Sequence, residues 1–387
     1  MKMAIKSPIS CLISILAVGF FLRIAFCFWF SLPHQHTDSQ MYFEQASALI
    51  AGHYINYAPN GYPLLVAICI KLFNHSWLIY SLLWINIILG TWTIWFVYRI
   101  ALVIFRDNRV ALIAAVIVAL YPNQLNYTRW ILTEIPCTFF LVLSLYLYFK
   151  NNGFLSGISL GISVLFRTPI LPVGILLVAI DLFITKKIAY KLITGLALPL
   201  LSMGFYCYLL TGKFSITGNE TVNVVYAVSS YTKATKGEVD WGASARHPEI
   251  QTSSQAWALY FSHAKKQPLD FVKQRLLSLW ELWGFYPTSL GGSRGLGSRM
   301  LIGVCNLFLL LCSGWAFWRN RNRHEVYIIL TPFVSLTAIY VLLVSIARYT
   351  VPMEPFLIIL TSWTIGTTLF RRRTKVAPHS YIWDKLE

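Results

Sequence analysis

Residues 63–73 read Pro63-Leu64-Leu65-Val66-Ala67-Ile68-Cys69-Ile70-Lys71-Leu72-Phe73, an apolar run that is short for a membrane crossing. A spanning helix takes about 20 largely apolar residues. Longer apolar runs fall at Pro8–Leu32, Trp77–Phe105, Val110–Tyr121, Ile135–Phe149, Phe154–Phe166, Ile170–Ile184, Leu192–Leu210, Met300–Trp318, Val326–Ile346 and Val351–Phe370. If 63–73 crosses as well, every later loop changes side, and Arg106, Arg109 and the Arg319–Arg323 cluster conflict with Lys2 and Lys6. If it lies in the interface or re-enters, Lys2/Lys6, Arg106/Arg109, Lys150, Lys186/Lys187/Lys191, Arg319/Arg321/Arg323 and Arg371/Arg372/Arg373/Lys375 share one face. Positive-inside bias makes that face cytoplasmic. The expected fold is an all-α polytopic membrane protein with about ten transmembrane helices, both termini inside.

Composition agrees with a membrane protein and excludes a soluble one. Of 387 residues, 57% are hydrophobic and 12% charged, whereas soluble domains carry about 25% charged residues. So few charges cannot cover a globular surface of this size. The net charge of +17, from 32 Lys+Arg against 15 Asp+Glu, reads as basic cytoplasmic loops and not as a nucleic-acid surface. The expected location is the cytoplasmic (inner) membrane of the cell, with membrane lipids as partners. The first apolar run reads as a retained span, because no convincing small-residue cleavage site follows it. All seven cysteines lie in apolar runs without metal-ligand spacing, and read as small core residues.

This topology divides the chain into a transmembrane module (1–210) with a first outer loop (33–76), a large outer loop (211–299), C-terminal membrane helices (300–370) and a cytoplasmic tail (371–387). The second outer loop is too long for a plain connection and reads as functional. Within it, Ser253–Lys266 and Leu269–Trp283 look helical, separated by Pro268. Leu269, Val272, Leu276, Leu279, Trp280 and Trp283 recur at helical spacing, as in a helix lying along the bilayer; packing against the transmembrane bundle is the alternative.

Two acids adjoin the outer face. Asp38 follows the first apolar run in Thr37-Asp38-Ser39-Gln40, a capping-box pattern. The next residues form an apolar stripe of Tyr42, Ala46, Leu49 and Ile50, and Gly52 supplies a stop. The helix dipole favours an ionised carboxylate at that N-terminus, which makes Asp38 either a general base at a water–lipid boundary or a plain cap. Glu134, just before the apolar run at Ile135, faces the same side; it either shares the site or only starts a helix. Arg23, Arg167 and Arg348 fall near this face. Arg23, inside the first run, is the costliest. The others serve as interface anchors or, being fork-shaped and always charged, as phosphate binders.

His34-x-His36-x-Asp38 has the residue types of a metal set, but a helix starting at Asp38 breaks the alternation and a fourth ligand is lacking. The expectation is no metal and no other cofactor. Gly291–Gly297 is glycine-rich without a strand-to-helix context, so it reads as a loop and not as a nucleotide site.

Taken in order, three segments resemble the GT-C membrane glycosyltransferases: a span containing Arg23, then Asp38-x-x-x-Tyr42-x-x-x-Ala46-x-x-Leu49-x-x-Gly52, then Pro59-Asn60-Gly61-Tyr62-Pro63. More narrowly, they resemble the bacterial branch related to protein O-mannosyltransferases and to the aminoarabinose transferase of lipid A. Tyr121-Pro122 to Thr133-Glu134-Ile135-Pro136, Gly161 to Arg167, and Arg348-Tyr349-x-x-Pro352-x-x-Pro355 resemble further family segments. Two departures stand out. Asp38 is followed by Ser39 where many relatives have an acidic pair, and Ala58-Pro59 lacks the basic residue that the aminoarabinose transferase has before its proline segment.

The resemblance implies interfacial helices in the first outer loop and a polyprenyl-phosphate sugar as donor. It further implies transfer to a hydroxyl of a lipid, glycan or protein acceptor, with inversion, at the outer face. Asp38 is then the base and Glu134 orients Asp38 or the acceptor. Arg348, Arg167 and Arg129 face the donor phosphate, and Tyr42, Tyr62 and Tyr349 contact substrate. The rival from another class is a transporter or flippase of a lipid-linked saccharide. Such a protein strings polar groups along a path through several spans, whereas here they collect at one face.

Overall fold

The computed structural model describes residues 7–29, 37–55, 58–212, 214–216, 224–225, 227, 250, 252–284 and 296–370. The described residues form helices and no strand. The first half contains α1 (Pro8–Trp29), α2 (Thr37–Ile50), α3 (Gly61–Phe105), α4 (Asn108–Leu120), α5 (Pro122–Thr128), α6 (Glu134–Phe149), α7 (Gly153–Phe166), α8 (Leu171–Thr185) and α9 (Tyr190–Thr211). The second contains α10 (Ser253–Lys266), α11 (Pro268–Leu282), α12 (Leu296–Asn320), α13 (His324–Leu342) and α14 (Glu354–Leu369). Short 3-10 turns at Thr168–Ile170 and Ala347–Thr350 precede α8 and α14.

Five described helical segments are long and apolar enough to cross a bilayer: Pro8–Trp29, Ser76–Phe105, Tyr190–Thr211, Met300–Asn320 and His324–Leu342. There are six if α4 and α5 count as one span, bent by 48°. Pro122 causes that bend, since it holds Tyr121 in an extended conformation (ψ 125°). The remaining apolar helices α6, α7, α8 and α14 have 14–16 residues. Length alone therefore accounts for fewer crossings than the expected ten.

The deciding run at 63–73 is helical but not separate. It forms the start of α3, a continuous helix of 45 residues. Pro63 falls in the first turn, where proline fits, and Asn74-His75-Ser76 contains neither Pro nor Gly to stop the helix. At 1.5 Å per residue α3 is roughly 67 Å long, about twice the hydrocarbon thickness. Its first turns therefore extend beyond the part that crosses.

Glycines set the closest packing. On α7, Gly153, Gly157 and Gly161 lie one turn apart against α9. A Cβ on Gly157 would stand 2.3 Å from the Leu192 carbonyl oxygen, and one on Gly195 of α9 2.1 Å from that of Phe154. Membrane helices gain contact by such small-residue stripes, since apolar surface alone gives no preference for protein over lipid.

The bundle has two chemically distinct ends. The C-terminal end of α7, the starts of α2 and α6 and the turn after α13 meet at one of them, which carries Asp38, Glu134, Arg167 and Arg348. At the other end, a cavity of about 270 Å³ is lined by Tyr148, Asn151, Asp181, Lys187, Lys191 and Glu325. Lys187 and Lys191 thus lie at the end of the bundle opposite Asp38 and Glu134. His34, His36 and the glycine-rich segment through Gly295 lie outside the described residues, as does the tail from Arg371.

Candidate active site

Three polar anchors shape the site. Ser39 Oγ of α2 donates to the Ile131 carbonyl (2.8 Å), and Asn86 Nδ2 of α3 donates to the carbonyls of Thr128 (3.2 Å) and Trp130 (2.9 Å). These bonds fix the non-helical link between α5 and α6, and so the position of Glu134. Gln45 of α2 holds the proline segment: its Nε2 donates to Asn60 Oδ1 (2.9 Å) and its Oε1 accepts from the Ala58 amide (3.0 Å). Gly61 sits so close to the end of α7 that a Cβ would lie 2.7 Å from the Leu165 carbonyl carbon. As expected, Tyr42, Ala46 and Leu49 are buried; Ile50, by contrast, is exposed. Gly52, at φ 77°, ends the helix in the left-handed conformation that glycine adopts without strain. The side chain of Thr37, half of the expected capping box, lies outside the described residues.

Asp38 and Arg348, 310 positions apart in sequence, form an ion pair with Arg348 Nη2 donating to Asp38 Oδ2 at 2.5 Å. Arg348 Nε is 3.6 Å from Glu134 Oε1, which also accepts from Arg167 Nη1 at 2.7 Å. The four charges therefore alternate as Asp38–Arg348–Glu134–Arg167. Arg167 further donates to Thr133 Oγ1 and to the Tyr340 hydroxyl, both at 3.2 Å. Its guanidinium also lies over the Tyr349 ring at 4.4 Å, a cation–π contact.

Exposure separates the two pairs. The side chains of Asp38 and Arg348 are 28% and 14% exposed, those of Arg167 and Glu134 10% and 2%. The first pair is partly exposed and the second is buried beside it. Burial opposes the charge on both arginines, yet Asp38 and Glu134 hold Arg348 well above its ordinary pKa, and Tyr340 and Glu134 do the same for Arg167. Burial, reinforced by the carboxylates of Asp38 and Glu134, pushes the Tyr42 hydroxyl up. That hydroxyl keeps its proton and so retains a hydrogen-bond donor toward the site. Tyr42 stacks near Tyr62 (4.9 Å), and Tyr62 lies edge-on to Phe166 (6.2 Å). Among the described residues, the Tyr62 hydroxyl and Glu134 Oε2 are buried without a hydrogen-bond partner.

The structure thus joins Asp38, Glu134, Arg167, Arg348 and Tyr349 directly and places Tyr42 and Tyr62 beside them. Arg129 stands apart from this arrangement in its stacking, its guanidinium lying over Trp130 at 5.7 Å. Arg23 is fully buried, donates to the Gly19 carbonyl (3.0 Å) and packs against Gly90. Among the described residues, no group of three or more His, Cys, Asp or Glu side chains is arranged to hold a metal.

Sequence reasoning missed Glu354. This fully buried acid accepts from Asn123 Nδ2 (2.6 Å), Gln124 Nε2 (2.8 Å) and Thr350 Oγ1 (3.1 Å). It ties α5 to the turn that carries Arg348. Its signal was an acid at the head of an apolar run with proline close behind, in Glu354-Pro355 as in Glu134-Ile135-Pro136.

Comparison with known proteins agrees with this architecture. Residues 58–206, under half of the chain, match the family model of dolichyl-phosphate-mannose-protein mannosyltransferases. No curated protein matches the chain. Solved structures of the Archaeoglobus fulgidus oligosaccharyltransferase share the fold. The apo form aligns with TM-score 0.59 and 17% identity over 95% of this chain and 52% of that one. The archaeal enzyme AglB from that organism, in complex with an inhibitory peptide and a dolichol-phosphate, aligns with TM-score 0.56 and 16% identity over 93% and 50%. The chain spans about half the length of these structures. Its architecture is the GT-C fold, that of the superfamily to which the sequence motifs point.

Proposed function

We propose that the chain is an inverting glycosyltransferase. It moves a sugar from a polyprenyl-phosphate donor to a hydroxyl of a lipid, glycan or protein acceptor, at the outer face of the cytoplasmic membrane. The observation that carries this reading is the partly exposed Asp38–Arg348 pair, a carboxylate and a guanidinium in contact at one end of the bundle. The match to a family named for a dolichyl-phosphate-linked donor supports it, as does the fold shared with an enzyme solved with dolichol-phosphate.

In the proposed step, the acceptor oxygen attacks C1 of the sugar and its proton passes to Asp38. The C1–O bond to phosphate breaks, and the electron pair leaves with polyprenyl phosphate. Arg348 offsets the growing phosphate charge, an electrostatic contribution of the oxyanion-hole kind. Proton uptake neutralises Asp38 at the same moment, so its hold on Arg348 weakens as the phosphate's strengthens. The leaving group departs as a stable anion, so the second carboxylic acid of glycoside hydrolysis has no counterpart here. Glu134, fixed by Arg167, keeps Arg348 in register.

Purified protein in detergent, given polyprenyl-phosphate sugar and candidate acceptors, tests the reading. Release of polyprenyl phosphate with a product of inverted anomeric configuration supports it. Retention of configuration contradicts the single displacement. Binding of donor without turnover for any acceptor favours a carrier.

A further inference from the structure

The helix α11 divides into three faces when its residues are placed at roughly 100° intervals. Arg275, Leu282 and Phe271 form the first, turned toward protein: Arg275 and Leu282 are buried, and the Phe271 ring meets that of Tyr260 at 5.5 Å. Arg275 Nη1 donates to the carbonyls of Val341 (2.8 Å), Leu342 (2.5 Å) and Leu343 (3.3 Å). These belong to the last turn of the spanning helix α13, whose orphan carbonyls need such donors. The second face is apolar and exposed: Leu269 85%, Val272 55%, Leu276 64%, Leu279 40% and Trp280 53%. It covers an arc of about 100°. Asp270, Gln274 and Glu281 form the third face, nearly opposite the apolar one. Lys273 lies at the boundary of the apolar arc.

We propose that α11 is embedded in the leaflet adjoining the candidate site, with Leu269, Val272, Leu276, Leu279 and Trp280 against lipid acyl chains. Three observations choose lipid as the occupant. Arg275 fixes the helix at the level where α13 ends, which is the depth of a membrane interface. The helix lies beside the end of α13, where Leu342 is 46% exposed and its carbonyl accepts from Arg275. The arc is also bordered by Lys273, which can run its stem along the acyl region and its ammonium to the headgroups, and it includes a tryptophan, as interfacial belts do. Left in water, such a stripe would be an aggregation liability. Because α11 also packs against the Ala347–Thr350 turn, the leaflet supports the segment that carries Arg348. The proposal is independent of the reaction catalysed.

Photolabelling of the unmodified full chain tests it without a variant. The protein is reconstituted into phosphatidylethanolamine–phosphatidylglycerol vesicles doped with a phospholipid bearing a diazirine on its acyl chain. Adducts are then mapped by mass spectrometry. Labelling at least fivefold higher at Leu269, Val272, Leu276 and Trp280 than at Asp270, Gln274 and Glu281 is the expected result. Equal labelling of the two faces overturns the proposal, as does its absence from α11 while α12 and α13 are labelled. Chain-to-chain cross-linking through residues 269–280 in vesicles, with no lipid adducts there, assigns the face to a second copy and overturns it too.

Discussion

At the scale of single residues, the two ion pairs have different duties. Glu134 and Arg167 are buried together, and breaking such a pair by removing one partner costs about 3–5 kcal/mol. Arg167→Ala is expected to lower the unfolding midpoint sharply, because it strands the Glu134 charge with only the longer 3.6 Å contact to Arg348, and adding Glu134→Gln should recover part of the loss. A double variant no more stable than Arg167→Ala would show that the stranded charge is not the cause. Tyr42 serves a different purpose. Its hydroxyl is pushed up by burial and by the two carboxylates, so it keeps its proton above the ordinary tyrosine range. Tyr42→Phe should therefore leave the alkaline limb of the pH–rate profile in place, even if it changes donor KM. A shift of that limb would make Tyr42 a titrating participant.

Among the elements, the one that organises the site is the turn between α13 and α14. Glu354 accepts from residues on α5 and from Thr350, so a single carboxylate couples the approach to Glu134 with the segment of Arg348. Glu354→Ala leaves the buried amides of Asn123 and Gln124 without this acceptor, each such loss costing about 1–3 kcal/mol. The expected outcome is a lower midpoint together with a fall in kcat that exceeds the change in donor KM. An unchanged kcat would confine Glu354 to stability. The sequence disclosed the elements unevenly. Asp38 and Glu134 were legible because each is an acid at the head of an apolar helix, and Arg348 because an arginine in an apolar context demands a reason. Glu354 carried the same signal but lay inside a run long enough to pass for a plain span. The pairing of Asp38 with Arg348 was not legible, since a contact across 310 positions depends on how helices pack. The continuity of α3 through Asn74 was also missed, because hydropathy falls there although no Pro or Gly stops the helix.

On the scale of the whole molecule, the excess of basic residues acts as an orientation signal. Lys187 and Lys191, with Asp181 and Glu325, line a cavity at the end of the bundle opposite Asp38; under the proposed outer-face site, that end faces the cytoplasm. Reporter fusions or cysteine accessibility at position 187 should report the cytoplasm, and at position 240, in the large loop, the opposite side. The same compartment for both would overturn the assigned topology. The glycine-lined seam between α7 and α9 supplies the rigidity on which this arrangement rests. It places Arg167, at the end of α7, within reach of Glu134 at the start of α6.

The central claim is that Asp38 accepts a proton while Arg348 receives the leaving phosphate. Asp38→Asn keeps the shape of the side chain and a polar contact toward Arg348 but removes the base. Turnover of polyprenyl-phosphate sugar by this variant, measured at saturating donor on protein of unchanged folding, should fall about 10²–10⁴-fold. Turnover within a few-fold of the unaltered protein would contradict the assignment of Asp38 as the base.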